Sequence, residues 1–214
     1  MNTVLVTGVS RGLGHAIAAA FAARGWNTIG VARSACQIPG VRTELLDVCD
    51  EQAVTAFIGS LPKLDVVVNN AGIARYRPLL ETPTAELREI LEVNLIGAFH
   101  VMRETARRMV DQGGGLILNI ASDAAVKGIA QMAPYVASKH ALLGLARSVS
   151  AELRSRGVRV CTYCLGPIST EILGPVSKNS RALQPADIAG MIVHLAELPA
   201  GMEVQEMLVE PMGM

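Results

Sequence analysis

Aromatic side chains are scarce in this chain of 214 residues, which has one tryptophan, three tyrosines and three phenylalanines. That leaves little for base-stacking platforms or an aromatic carbohydrate groove. A charge excess is also missing, because 19 lysines and arginines are matched by 19 aspartates and glutamates. Such a balance provides no field for collecting nucleic acid or an anionic membrane. Long hydrophobic runs are absent too. The longest, Ala16 to Ala23, falls far short of the ~20 residues that span a bilayer. Met1-Asn2-Thr3 leads directly into a strand pattern rather than a signal peptide. The cysteines, Cys36, Cys49, Cys161 and Cys164, are scattered, as expected of reduced thiols in a cytoplasmic protein large enough to fold without disulfides. Cys161 and Cys164 have zinc or redox spacing, but no second pair accompanies them, and residues three apart on a strand face opposite sides. No metal site is expected. What remains is a chain that is half hydrophobic, mostly aliphatic, and sized for one domain over 1–214.

Short aliphatic runs alternate with longer helical patterns along the whole chain. Thr3–Thr7, Asn27–Ala32, Glu44–Leu46, Asp65–Asn69, Gly115–Ala121, Arg159–Leu165 and Gln205–Glu210 read as seven strands. Helices are expected near Leu13–Arg24, Asp50–Ser60, Pro83–Asp111, Met132–Arg156 and Pro185–Leu198. Thr82 reads as a cap before Pro83, and Gly113-Gly114-Gly115 as the stop that follows. Several strands are apolar at consecutive positions, which suits a sheet covered by helices on both faces. The pattern predicts an α/β protein with a doubly wound, seven-stranded parallel sheet.

The first strand runs into Thr7-Gly8-Val9-Ser10-Arg11-Gly12-Leu13-Gly14 and then a helix. Glycines there permit a sharp turn and close backbone approach, while the N–H groups of the helix end face an anion such as pyrophosphate. Gly8 is expected to make the turn, Gly12 the close approach and Gly14 the tight packing of helix on strand. At the end of the second strand, Val31-Ala32-Arg33-Ser34 offers no carboxylate for a ribose 2′-hydroxyl. Arg33, with Arg11, suits a 2′-phosphate instead, so NADP(H) is expected over NAD(H). The plain alternative is that both are surface arginines.

Tyr135 and Lys139 lie at i and i+4 of a helical stretch, and so on one face. An ammonium there is expected to lower the phenol's pKa from near 10 and tune it for proton transfer. Ser122 follows the fifth strand, at the carboxyl edge where open α/β sheets bind ligands. Its hydroxyl is placed to hold a substrate oxygen. Asp123 could contact substrate or simply end the strand.

Taken together, these motifs resemble the short-chain dehydrogenase/reductase family over nearly the whole chain. Thr7–Gly14 resembles its TGxxxGxG cofactor motif, which carries Ser10, Arg11 and Leu13 as contact positions. Asn69-Asn70-Ala71-Gly72 resembles its NNAG motif, and Asp47-Val48 the pair at the adenine. Asn94, Ser122, Tyr135 and Lys139 match the catalytic tetrad in order and spacing. Gly166-Pro167-Ile168-Ser169-Thr170 resembles the segment around the nicotinamide, with Ile168 and Thr170 as amide contacts. The resemblance implies a Rossmann fold and hydride transfer between NADPH and a small-molecule carbonyl or secondary alcohol. In that scheme Tyr135 is the proton donor, Ser122 steadies the oxygen, Lys139 holds the ribose and Asn94 anchors a water linking Lys139 to solvent. It also implies a homodimer or homotetramer, paired through the helix bearing Ala141, Leu142, Leu145 and Ala146 and the long helix before it; the plain alternative is that this apolar face is buried against the chain's own sheet.

Two departures stand out. Cys164-Leu165-Gly166 replaces the family's Asn-Pro-Gly, and only a short loop at about 171–184 separates Thr170 from the final helix. A shallow, open or partner-closed substrate pocket is expected there. His15, His100, His140 and His194 have no partner at metal spacing, and Arg75-Tyr76-Arg77 reads as a solvated loop that could instead reach the pocket mouth. A carbonyl reductase is the first reading. A non-catalytic NADP(H)-binding regulator is the second, though such a sensor has no need of the whole tetrad.

Overall fold

The computed structural model describes residues 1–172 and 182–212. Its seven strands form one sheet in the order β3-β2-β1-β4-β5-β6-β7, all parallel. They are β1 Thr3–Thr7, β2 Asn27–Ala32, β3 Val41–Leu45, β4 Val66–Asn69, β5 Gly115–Ile120, β6 Val158–Leu165 and β7 Glu206–Val209. The helices are α1 Gly12–Ala23, α2 Glu51–Ser60, α3 Thr84–Leu91, α4 Ala98–Asp111, α5 Ala133–Leu153 and α6 Pro185–Ala196.

The consecutive apolar residues of the central strands have the cause expected of them. Val4 and Val6 pack on one face with Ile17 and Phe21 of α1 and Ile188 and Ile192 of α6. Leu5, between them, packs on the other face with residues of α2, α4 and α5 such as Ile58, Met102 and Leu142. Each fully buried side chain of this size contributes roughly 1.5–3 kcal/mol. Cys161 and Cys164 fall on opposite faces, one in each cluster, and both are free thiols.

Local punctuation sets the ends of the elements. Asp50 caps α2 by accepting the Ala53 N–H at 2.9 Å. Gly113 and Gly114 leave α4 at φ +86° and +145°. A Cβ on Gly114 would stand 2.8 Å from the Gly157 carbonyl, so the turn needs glycine.

Three sequence expectations are corrected. β3 begins at Val41 rather than Glu44; it is an edge strand that mixes Val41 with Arg42 and Glu44, so it carries no apolar run to mark its start. The stretch read as one helix, Pro83–Asp111, is interrupted by a π-helical turn at Glu92–Gly97. Thr82 does not cap α3. Its hydroxyl donates to the Pro78 carbonyl at 2.9 Å, and Pro83 takes the N-cap position without a side-chain bond.

Strand order reverses beside β1, whose neighbours are β2 and β4. Such a reversal opens a crevice at the carboxyl edge of the sheet, between the loops leaving those strands.

Candidate active site

That crevice is a cavity of about 940 Å³. Its floor is the turn from β1 to α1. Gly8 and Gly12 lie at φ +74° and +60°, where other residues are strained. A Cβ on Gly14 would fall 2.3 Å from the Gly8 carbonyl and 2.4 Å from Asn70 Nδ2. Gly14 is therefore needed for contact with the turn itself and with the loop after β4, more than for packing on a strand. Arg11 stands at the N-cap of α1 without a side-chain cap, and Ser10, Arg11, Gly12, Leu13 and Gly14 all line the cavity. An uncapped helix start over a cradle with no room for a side chain fits a bound pyrophosphate.

The loop after β4 is bound to this turn by Thr7. Its hydroxyl accepts the N–H groups of Asn70 and Ala71, each at 3.0 Å. Asn70 Nδ2 donates back to the Thr7 carbonyl at 2.9 Å. Asn70, Ala71 and Gly72 thereby become one wall of the cavity.

Arg33, Ser34, Asp47 and Val48 line the far end. Val48 is buried against the π turn, where a Cβ on Gly97 would come within 2.7 Å of it. The His100 ring bonds the Val48 carbonyl through Nδ1 at 3.1 Å, which anchors the same segment. Arg11 and Arg33 are exposed and, among the described residues, pair with no carboxylate. The residues present thus fit a dinucleotide along the crevice, with Arg11 and Arg33 among its lining.

Ser122, Tyr135 and Lys139 meet at the other end. Ser122 caps a 3₁₀ turn at Asp123–Ala125 and is 8% exposed. Lys139 is buried, donates to the Ile120 carbonyl at 2.9 Å and lies 5.6 Å from the centre of the Tyr135 ring. Burial brings its pKa down from 10.5 to about 8. The expected lowering of the Tyr135 pKa is not found. Burial pushes this phenol up to about 12; the neighbouring Ser122 hydroxyl pulls the other way by hydrogen bonding, and Asp123 adds to the rise. Desolvation outweighs the cation because Lys139 approaches the ring and directs its hydrogen bond to a backbone carbonyl.

Asn94 reaches this cluster because the π turn carries it. Its Oδ1 accepts the Ile73 N–H at 2.8 Å, while Nδ2 donates to the Ile73 carbonyl at 2.9 Å and to Ser138 Oγ at 3.1 Å. The amide therefore clamps the loop after β4 to α5 at Ser138, the residue next to Lys139. A Cβ on Gly72 would be 3.3 Å from Asn94 Oδ1 and 3.8 Å from Lys139 Nζ. These two side chains confine the space at Gly72.

Gly166, Ile168 and Thr170 complete the rim. Gly166 is held against the C-terminal segment, with its N–H on the Val209 carbonyl at 2.8 Å, and a Cβ there would reach Pro211 at 2.9 Å. The Cys164-Leu165-Gly166 departure thus retains the glycine that this contact requires, while Cys164 and Leu165 are buried in the core. Of the loop at 171–184, residues 173–181 lie outside the described residues, and with them the expectation for how the pocket closes.

Ile73, Ala74, Tyr76, Ile129, Met132 and Ile172 also line the cavity, and the sequence reading did not assign them. Nothing in their spacing marks them; only the nearness of Tyr76 to the Asn-Asn-Ala-Gly turn gave a hint. The flanking arginines are held away by glutamates, Arg75 on Glu89 at 2.6 Å and Arg77 on Glu86 at 2.9 Å. Among the described residues no three His, Cys, Asp or Glu side chains are grouped to hold a metal, and no helix is long and apolar enough to cross a membrane. Burial raises the thiol of Cys161 to about 12, and it also shifts that of Cys164 upward.

A family model described as short chain dehydrogenase matches residues 2–181. D-threitol dehydrogenase of Mycolicibacterium smegmatis is 33% identical over 228 residues, covering 94% of this chain and 88% of its own. The 3-oxoacyl-(acyl-carrier-protein) reductase of Escherichia coli is 34% identical over 209 residues, covering 92% and 82%. Among solved structures, an alcohol dehydrogenase of the archaeon Thermococcus sibiricus complexed with 5-hydroxy-NADP aligns with a TM-score of 0.87 at 29% identity, over 98% of this chain and 96% of that one.

Proposed function

The chain belongs to the short-chain dehydrogenase family of NAD(P)(H)-dependent oxidoreductases, and from that premise we propose that it is an NADP(H)-dependent enzyme of the carbonyl reductase type, acting on a small carbonyl and its secondary alcohol. The observation that carries this reading is the meeting of Ser122, Tyr135 and Lys139 in a cavity that Arg11 and Arg33 also line. When bound, the dinucleotide supplies the hydride. Gly8, Gly12, Leu13 and Gly14 would hold its pyrophosphate, Asp47 and Val48 its adenine, and Arg33 with Arg11 its 2′-phosphate. Asn70, Ala71 and Gly72 would flank the adenosine side, and Gly166, Ile168 and Thr170 the nicotinamide.

A phenol held near 12 is protonated across the whole physiological range. Tyr135 Oη is therefore suited to give its proton to a carbonyl oxygen that is gaining charge. Ser122 Oγ stands beside it to fix that oxygen. Lys139 would hold the ribose, and Asn94 keeps Ile73 and Ser138 in place around it and would lie on the route by which the proton is replaced. We place the chain in the cytoplasm as a single domain that assembles with copies of itself, with neither nucleic acid nor membrane as partner. Leu142 and Ala146 of α5 are buried in the chain's own core, so they are not the pairing face; the open space around Gly144 on α5 and the partly exposed Ile96 and Phe99 support one formed by other residues of these helices.

The test is NADPH consumption by the purified protein over a panel of ketones, aldehydes and oxoacyl thioesters. Turnover is expected with some members and with NADPH over NADH. Tight NADPH binding with no turnover on any carbonyl would favour a regulator that reads the NADP(H) ratio.

A further inference from the structure

Tyr76 lines the cavity together with Ser122 and Tyr135, yet proton transfer gives it no part. Its loop is pinned on three sides. Arg75 grips Glu89 through both terminal nitrogens, at 2.6 and 2.8 Å. Arg77 Nε donates to Glu86 Oε2 at 2.9 Å, and Glu86 is only 7% exposed. The two glutamates stand three apart on one face of α3. The third pin is the Arg77 N–H, which donates to the Gln131 carbonyl at 2.7 Å. Gln131 lies at φ +63°, a left-handed conformation that a residue with a side chain adopts only at a cost. Such strain persists where surrounding contacts hold it. Here it ties the loop of Tyr76 to the segment that leads into Met132.

The ring of Tyr76 is therefore preorganised, and it is 48% exposed, open to be covered by a bound molecule. Burial is the main reason the Tyr135 phenol titrates high, and Tyr76 adds a smaller push in the same direction, as a phenol close to it does. Ile129 and Met132 line the same cavity. The guanidinium groups on either side of Tyr76 are turned to α3, where glutamates balance their charge.

We propose that Tyr76 is a specificity-determining residue, its ring forming the wall for an uncharged ketone that carries an apolar ring or chain beside its carbonyl. This rests on the reading of Ser122 and Tyr135 as the groups that meet the substrate oxygen. With the oxygen held there, the rest of the molecule lies against Tyr76, Ile129 and Met132. An apolar ring gains by covering such a surface. A ketose would have to give up water from its hydroxyls against the same side chains, without hydrogen bonds in return. The carboxylate of an α-keto acid would lose still more, because Arg75 and Arg77 already have their partners.

The test is calorimetric binding of cyclohexanone, erythrulose and pyruvate to the NADP⁺-loaded protein, in which no ketone is reduced. Cyclohexanone is expected to bind more tightly than the other two. Tyr76→Ala should weaken it about tenfold, equivalent to ~1.4 kcal/mol, and leave NADP⁺ affinity as it was. Tyr76→Phe keeps the ring and should keep cyclohexanone binding. Unchanged cyclohexanone binding in Tyr76→Ala would overturn the proposal, as would tighter binding of erythrulose or pyruvate by the unaltered protein, or no binding of any of the three. A merely structural role for Tyr76 would show as joint loss of NADP⁺ and cyclohexanone, which also counts against it. Failure of the reductase reading looks different: cyclohexanone would bind through Tyr76, but NADPH would not be consumed with any carbonyl.

Discussion

Lys139 brings a positive charge into a buried position, and its effect can be read in stability as well as in chemistry. The folded chain releases this proton at about 8 and the unfolded chain at the ordinary 10.5. Between those values the unfolded state holds more protons, so this residue's contribution to stability rises as pH climbs from about 8 to 10.5. Below that window the folded protein carries the full cost of the buried cation. Lys139→Met is therefore expected to raise Tm at pH 7 by roughly 2–4 °C for each kcal/mol relieved, with the gain shrinking toward pH 10.5. A thermal scan at the two pH values checks it; an equal gain at both would remove charge burial as the cause. Activity should be lost in the same variant, the usual conflict between a strained site and a stable one. In Arg33→Asp, NADPH affinity should fall by about tenfold to a hundredfold, the scale of a lost charge-assisted pair, while NADH affinity holds. Equal loss of both cofactors would contradict the role given to Arg33. At this scale residue types and spacings could be read directly, and Ser122, Tyr135 and Lys139 do come together. The Tyr135 pKa could not be read that way. It depends on how far burial outweighs a cation 5.6 Å from the ring centre, and spacing carries no information on either. Lys127, which pairs with Asp123 four residues earlier, is shared with Glu210 from the far end of the chain, and spacing carries no information on that second contact.

At the scale of elements, the glycines separate into those with room and those without. Gly14→Ala would drive a methyl into the Gly8 carbonyl and Asn70 together. The cost is expected to be about 1–3 kcal/mol, accompanied by loss of NADPH binding, because the turn itself must shift. Gly190, inside α6 and exposed, has nothing within 4 Å of an added Cβ. There alanine should stabilise by about 0.5–1 kcal/mol through helix propensity. Chemical denaturation of the two variants checks the contrast, and similar midpoints would contradict it. Central strands such as Thr3–Thr7 and Asn27–Ala32 were legible to the residue because burial on both faces leaves an unbroken apolar run between turn residues. β3 was not, because an edge strand with one open side tolerates Arg42 and Glu44. The π turn at Glu92–Gly97 was invisible because one extra residue in a helical period barely changes the apolar pattern, although it is what brings Asn94 to the site.

For the molecule as a whole, the sheet order sets the outcome: a reversal beside β1 opens one crevice, and the loops after β1, β4 and β5 all end in it. That much could be anticipated from strand–helix alternation. The apolar lining at Ile129, Met132 and Ile172 could not, because it is gathered from loops with no periodicity. If copies pair through α4 and α5, sedimentation at micromolar concentration should give a dimer or tetramer mass, and a monomer would contradict that assembly. The most direct single measurement is kcat for NADPH oxidation by Tyr135→Phe, on a ketone that the unaltered protein reduces, with NADPH affinity measured alongside. A fall of about 10²–10⁴, the scale of general acid catalysis, with cofactor affinity preserved is the expected result. Unchanged turnover would show that another group delivers the proton.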